Sequence, residues 1–393
     1  HDNLWDLFLM ESELIPVILD MRFLGVRVDI ERAYDLSKDM ISQESSLLNT
    51  IHKIAKTEFN PWSSKSISEA FDQLDIDYPR TEKGNPSITR IWLDNHKNPL
   101  CKALVEYRTI SKIRRDFIQS VILGQNIDGR IHAQFHQLRK DMYGTRSGRF
   151  SSSHPNLQQI PARNIHYGPM IRSLFLPDKH FHWGKFDYSQ QEPRLMVHYG
   201  ELCKFNGAKT TGDIYRKDPN ADFHQIIADM TGLPRRDAKT INLGLSYGMG
   251  KIRLASELKS NIKKAEEMLE KYHTMVPFIR QLSTKCHDKS MTLGEITTIL
   301  GRKRRLGTKE HHKALNALIQ GSAADMTKKA MLECYKEGYV PHLQVHDELC
   351  FSIQDNGKDI SKIKQIMENV VKLSVPVVVD CDIGNNWACK EKE

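Results

Sequence analysis

The chain has 393 residues, of which 39% are hydrophobic and 27% charged, and its formal net charge is +8. That length exceeds the roughly 250–300 residues at which a single core stops growing, so two or three subdomains are expected. The most apolar runs, such as Val375 to Val379, are strand-sized and fall far short of the ~20 residues a membrane helix needs, so a soluble protein with no membrane partner is expected.

Seven cysteines with no C-x-x-C pair argue against a disulfide framework or a zinc site. They fit a reducing, intracellular compartment, here cytoplasmic. The opening residues His1-Asp2-Asn3-Leu4-Trp5 hold neither a basic region nor an apolar signal core, and no initiating Met, as in a piece of a longer protein. Positive charge clusters at Lys112, Arg114 and Arg115 and at Arg302-Lys303-Arg304-Arg305. Each block reads either as a solvated helix face or as part of a surface for a polyanion.

In chain order, Glu11 to Met40 reads as helices broken by a turn at Gly25-Val26-Arg27-Val28-Asp29, with Glu11 and Glu13 on a helix surface. Ile41 to Ile122 is polar and helical, interrupted by a turn-rich loop from Pro79 to Ser87. Tyr143 to Pro161 is too dense in Gly, Ser, Asn and Pro for helix. Phe181 to Phe186 reads as a short strand. Helical periodicity governs Phe223 to Cys286 and His311 to Lys336, and strand-like runs close the chain at 342–353 and 375–382. Strands flanking a long helical insert predict one sheet assembled from distant segments, an α+β fold.

Three segments carry chemistry. In the first, an apolar strand runs into Asp187 and a helix follows. Ser189 and Glu192 fit a capping box, while Pro193 lies where a missing N–H begins to cost helix stability. In the second, Pro234 suits a first helical turn and Gly248 a C-terminal cap, and Arg235, Lys239, Leu243 and Tyr247 recur every four residues as one drifting stripe. Ala238, Ile241 and Leu245 lie away from it and face inward. Two cations at a helix N-terminus suit a triphosphate, and a ring further along can stack on a base. Read as ordinary structure, the stripe is an amphipathic helix, but cations there oppose the macrodipole. In the third, Leu343 and Val345 alternate on one side of a turn and Leu349, Phe351 and Ile353 on the other, a hairpin with His346, Asp347 and Glu348 at its tip. Asp187 and Asp347 on one sheet can hold two divalent ions for an in-line phosphoryl displacement, and Mg²⁺ suits such a carboxylate pair.

These segments resemble motifs A, B and C of the family A DNA polymerases, the bacterial DNA polymerase I group and its phage relatives. The matching residues are Asp187-Tyr-Ser-Gln190-Gln-Glu192-Pro-Arg194, Arg235 to Gly248, and Val345 to Glu348. Gly148 to Pro161, Gly301 to Arg305, Asn316 to Gly321, and the pairs Phe59-Asn60 and Ser64-Lys65 with Gly84 to Ser87 extend the likeness over nearly the whole chain, in order.

The resemblance implies a right-hand α+β polymerase with an antiparallel palm sheet and mostly helical thumb and fingers. The expected parts are a lead-in at 1–40, a thumb at 41–130, palm at 131–190 and 316–393, and fingers at 191–315. It implies a monomer that adds deoxynucleotides from dNTPs to a primer 3′-hydroxyl on a DNA template, with two Mg²⁺ ions and Mn²⁺ able to substitute. Asp187, Asp347 and Glu348 would be the metal set. Arg235, Lys239, His224, Gln190, Leu243 and Tyr247 would meet the incoming nucleotide, with Lys239 also giving a proton to the pyrophosphate. Glu192 would sit under the sugar and exclude a 2′-hydroxyl. Arg149, Asn156, Asn316, Gln320, His346, Gln344 and Gly248 would contact DNA, several in the minor groove, where shared acceptors report pair shape rather than sequence.

Three departures stand out: Leu243 for the usual Phe or Tyr, Pro193 for the usual Leu, and His312 for the usual Arg. They predict altered handling of 3′-deoxy nucleotides, a shifted helix start and a weaker primer-side phosphate contact, and they point to a phage or divergent source. No proofreading exonuclease is expected in this chain. The rival readings are a single-subunit RNA polymerase, which Glu192 opposes, and a catalytically silent DNA-binding accessory, which the intact acidic and cationic residues oppose.

Overall fold

The computed structural model describes residues 4–139, 143–162, 164–246, 249–354 and 357–389, without the side chains of Leu243, Leu245 and Ser246. It divides into two compact units. One holds His1–Val26, His132–Gln159 and Pro177–Glu393, and the other Arg27–Ile131 and Ile160–Leu176. The second unit therefore takes in 27–40 and 160–176 as well as the 41–130 stretch.

Short polar caps start four helices of this second unit. Asp29 caps Ile30–Ala55, Ser63 caps Ser64–Gln73, Thr89 caps Arg90–Asn95, and Asn98 with Pro99 opens Pro99–Lys112. Each side chain accepts an amide proton that the first helical turn leaves unpaired. The helices close over Ile51, Ile67, Phe71, Leu93, Leu100 and Leu104, all at most 1% exposed. Pro99–Lys112 continues into a π-helical segment, Ile113–Leu123, where Arg114 is buried against Glu44. This corrects the solvated-face reading for Arg114. The expected turn at 25–29 is also corrected: Val26–Val28 is a strand, pairing Arg27 with Leu176 and Val28 with Phe175. Its partner lies too far along the chain for local reading to find. Asp128 and Gly129, with φ of 49° and 77°, make the two-residue turn that joins Asn126–Ile127 to Arg130–Ile131.

The first unit is built on a four-stranded antiparallel sheet in the order Leu343–Val345, Glu348–Ile353, His182–Tyr188, Val379–Gly384. The fold class is α+β, and the sheet draws its strands from distant segments. Phe186, Tyr188, Leu349 and Phe351 form its apolar face, and the Tyr188 hydroxyl donates to Met367 O of helix Lys358–Asn369 at 2.8 Å. The opposite face presents Trp183, Lys185, Asp187, Glu348 and Cys350. The insert between the central strands is helical from Gln191–Leu202 to Pro277–Leu293 and ends in the hairpin Glu295–Thr297 with Lys303–Arg305. Helix Ala314–Lys336 returns through the interior, buried nearly all round, as a helix without a polar face must be. Gly321 permits its closest approach: a Cβ there would lie 2.5 Å from Thr298 Cγ2.

Two further expectations are corrected. Glu11 is not on a helix surface. It is 6% exposed, and its Oε1 accepts from Arg302 Nη2 at 2.5 Å and from Lys328 Nζ at 2.7 Å. Arg302 also donates to Asp325 at 2.7 Å, so this member of the basic block is an internal tie and not a solvated cation. A charge that deep is tolerated only with partners, and these come from helix Ala314–Lys336 and from Arg302. The capping box does not form either. Helix Gln191–Leu202 is capped by Gln190 in the left-handed conformation, with no side-chain cap. Glu192 turns away to Arg149, and Pro193 falls in the first turn, where an N–H would lack a helical acceptor anyway.

Candidate active site

The alternation of strand His182–Tyr188 puts Asp187 on the polar face, in register with Glu348 on one side and Asp380 on the other. Asp347 follows His346, whose φ of 59° makes the tight turn, and Tyr188 N donates to Asp347 O at 3.4 Å. Asp187 Oδ1 is buried and accepts no hydrogen bond from the described residues. Burial, then the charges of Asp347 and Glu348, push the Asp187 carboxyl up to about 8. Burial likewise raises Asp347. Like charges crowded into a low-dielectric spot resist ionisation unless a cation shares them. An unpartnered carboxylate oxygen among oxygen-only donors suits a hard divalent ion. Among the described residues no three His, Cys, Asp or Glu side chains converge as a ready-made cluster. An ion held by one or two carboxylates together with substrate phosphates needs none.

Glu348 is 9% exposed, and its Oε1 accepts from Trp387 Nε1 at 2.8 Å and from Cys350 Sγ at 3.1 Å. Trp387 and Asp380 were not singled out from sequence. The alternation of Asp380 and Asp382 with Val379, Cys381 and Ile383 is the signal that places Asp380 on the face of Asp187.

Glu192 Oε1 accepts from Arg149 Nη2 at 2.5 Å. Burial raises the Glu192 carboxyl despite the guanidinium beside it. Arg149 follows Gly148, whose φ is 85° and whose Cβ, if present, would lie 2.7 Å from Arg302 Nε. Gln190 spends its amide inside the protein: Oε1 accepts from Phe223 N at 2.6 Å and the Tyr215 hydroxyl at 3.1 Å, and Nε2 donates to Ala221 O at 3.0 Å. Arg194, 1% exposed, donates to the carbonyls of Ser189, Pro376 and Pro219 at 2.8, 2.7 and 2.6 Å. These two side chains fix the strand-to-helix joint that carries Asp187 and Glu192.

Helix Arg235–Ser246 begins as expected, with Ala238 N donating to Pro234 O at 3.0 Å, and Ala238 and Ile241 are fully buried. Arg235 pairs with Asp222, which also caps helix Phe223–Thr231. That carboxylate offsets a cation otherwise opposed by its own helix dipole. Lys239 is exposed, with no ion pair to another described residue. His224 is half-buried, its Nδ1 is 3.0 Å from Asn242 Nδ2, and burial lowers its pKa. The ring is then neutral and accepts at Nδ1, which leaves the proton on Nε2. Tyr272, missed in the sequence, orients the amide by donating to Asn242 Oδ1 at 2.5 Å. Tyr247 and Gly248 lie outside the described residues, as does the Leu243 side chain.

Asn316 and Gln320 are half-buried, one turn apart on helix Ala314–Lys336. His346 is exposed at the hairpin tip. Gln344 is only 2% exposed; it accepts from Gln158 Nε2 at 3.0 Å and donates to His346 O at 2.6 Å, so it shapes the turn from below. Asn156 accepts from Gln158 N at 3.1 Å and holds the same corner.

Residues 30–389 match the family model described as DNA polymerase family A. The DNA-directed DNA polymerase of Pseudomonas phage M6 is 34% identical over 446 residues, which cover 98% of this chain and 66% of the phage protein. DNA polymerase I of Geobacillus stearothermophilus is 31% identical, over 96% of this chain and 45% of its own length. The chain thus spans just under two thirds of the phage relative and under half of the bacterial one. Among solved structures, the POL domain of Pol1 from M. smegmatis in complex with DNA primer-template and dNTP superposes with a TM-score of 0.85 at 26% identity, covering 96% of this chain and 70% of that one.

Proposed function

Because the chain belongs to DNA polymerase family A, we propose that it extends a DNA primer on a DNA template with dNTPs, as a monomer in the cytoplasm of a bacterial or phage-infected cell. In this reading 41–130 forms the thumb, 131–190 and 316–393 the palm, and 191–315 the fingers. Among the described residues no helix is long and apolar enough to cross a membrane.

Asp187 and Asp347, with Glu348 behind them, would hold two divalent ions, Mg²⁺ by preference. When bound, such ions supply an acidified 3′-hydroxyl and charge neutralisation on the phosphates. The hydroxyl oxygen forms a bond to the α-phosphorus as the bond to the bridging β-phosphate oxygen breaks. Arg235, Lys239 and the Nε2–H of His224 receive the triphosphate, and Arg235 exchanges Asp222 for it. Lys239 hands a proton to the departing pyrophosphate. Glu192, held by Arg149, occupies the space a 2′-hydroxyl would need. Asn316, Gln320 and His346 would meet the primer-terminal pair, and the expected role of Tyr247, which lies outside the described residues, is to stack by the templating base.

The buried, unpartnered oxygen of Asp187, crowded by Asp347 and Glu348, carries this reading. The test is primer extension by Asp347→Asn, with primer–template binding measured alongside. Extension should fall by roughly three orders of magnitude or more, a loss of the size seen when a group essential to catalysis is removed, while binding stays within a few-fold. Extension that survives the substitution would sink the two-ion assignment. A wild type that binds DNA without extending it would favour the accessory reading, and efficient use of ribonucleotides the RNA polymerase reading.

A further inference from the structure

Glu348 shares a sheet face and a register position with Asp187, yet it is held from behind by the chain's closing segment. Trp387 lies just after the last strand, is 1% exposed, and donates its indole N–H to Glu348 Oε1 at 2.8 Å. Its ring stacks on Trp183, centroids 6.1 Å apart, and Trp183 stacks on His342 at 6.0 Å. His342 is itself fixed, with Nδ1 2.9 Å from Gly25 O and Nε2 2.6 Å from Ser352 Oγ. The indole is therefore the end of an anchored aromatic column, and it cannot swing without breaking that stack.

An indole N–H donates and never accepts, so the oxygen it faces must offer a lone pair. Cys350 donates to the same oxygen at 3.1 Å. Two neutral donors on one oxygen fix the carboxylate plane and leave the second oxygen to other partners. Without them, the carboxylate would be free to rotate away from Asp187.

We propose that Trp387 is a positioning residue of the cation site: by orienting Glu348 opposite Asp187, it sets the affinity of the carboxylate group for divalent ions. The inference rests on the reading of Asp187 and Asp347 as cation ligands given above. Trp387 touches neither nucleotide nor DNA in that reading, so it acts only through Glu348.

The experiment is Mn²⁺ binding by the full chain, followed by electron paramagnetic resonance with primer–template and dNTP present and a 3′-deoxy primer preventing turnover. Trp387→Phe keeps the ring and removes the donor. It should weaken Mn²⁺ binding by about tenfold or more, as loss of an outer-shell hydrogen bond typically does, with primer–template affinity unchanged. Glu348→Gln should weaken it comparably, and the double variant should be no worse than the weaker single variant. A Trp387→Phe protein that melts earlier but binds Mn²⁺ like wild type overturns the proposal and leaves the indole a packing group. Should Trp387→Phe not fold, Trp387→His keeps a ring and a donor. It must then hold Mn²⁺ within a few-fold of wild type and lose that affinity when Glu348→Gln is added; any other result overturns the proposal. Asp187→Asn is the control that separates the two readings. If it abolishes Mn²⁺ binding while Trp387→Phe does not, the positioning role alone fails; if Asp187→Asn binds normally, the cation site itself fails.

Discussion

Arg149 and Glu192 are joined by a hydrogen-bonded ion pair at 2.5 Å, both of them partly buried. If Glu192 lies under the sugar and Arg149 at the primer end, as proposed, discrimination between sugars should depend on both. Glu192→Ala should lower the ratio of kcat/KM for deoxy- over ribonucleotides by roughly 10–200-fold, the range for losing one close steric contact. Arg149→Met should lower the same ratio, and the double variant should fall well short of the sum, since the two residues act as one unit. An Arg149→Met protein that extends slowly but discriminates normally would show that the pair does not set the gate.

Leu243 is the third member of the stripe Arg235, Lys239, Leu243 and Tyr247, which meets the incoming nucleotide in the proposed reading. Leu243→Tyr should change selection between deoxy- and dideoxynucleotides by about tenfold or more, since each 1.4 kcal/mol of differential contact is tenfold in rate. Competition between the two nucleotides on one primer reads this directly, and an unchanged ratio removes the idea.

Arg194 gives three N–H groups to three carbonyls from separate segments, with its plane 4.4 Å from the Tyr215 ring centroid. Arg194→Met leaves those acceptors without their donor, at roughly 1–3 kcal/mol each, so a loss of about 3 kcal/mol or more is expected in urea unfolding. Arg194→Lys should recover little of it, because an ammonium cannot reproduce the planar fork. A lysine variant as stable as wild type would contradict this.

Burial, reinforced by the Arg302 guanidinium, pushes the Lys328 amine from its ordinary 10.5 down to about 8. The sign follows from linkage. Above 10.5 the amine is neutral in both states and costs nothing; as pH falls towards about 8 the unfolded chain gains a proton that the fold resists. The stability of wild type relative to Lys328→Met should therefore fall over that window and level off below it. Paired urea titrations across the window check this, and a difference independent of pH would refute it.

Much of the site was legible because its signals are local. The apolar run into Asp187 ahead of a helix and the alternation in 343–353 located both acidic positions, and Pro234 with the four-residue stripe located the cationic helix. What escaped depends on partners far along the chain. Nothing near Glu11 announces Arg302 and Lys328, nothing near Val28 announces Phe175, and nothing near Glu348 announces Trp387. The Ser189–Glu192 spacing satisfied a local rule that the left-handed Gln190 and the pull of Arg149 overrode. A tertiary ion pair in a buried site outweighs a cap that water could replace.

Strand His182–Tyr188 takes both neighbours from the last part of the chain, Glu348–Ile353 and Val379–Gly384. On a ribosome, the whole helical insert is made before either neighbour emerges, and chains fold in the order in which their parts appear. Helix Arg235–Ser246 can therefore be complete while Asp187 still sits on an unpaired edge. A polypeptide cut short anywhere before Val379 has the cationic helix but not the complete four-stranded sheet that holds the acids. In the proposed reading, catalytic competence is then the last property such a chain acquires, and a copy cut short before Val379 should not extend a primer.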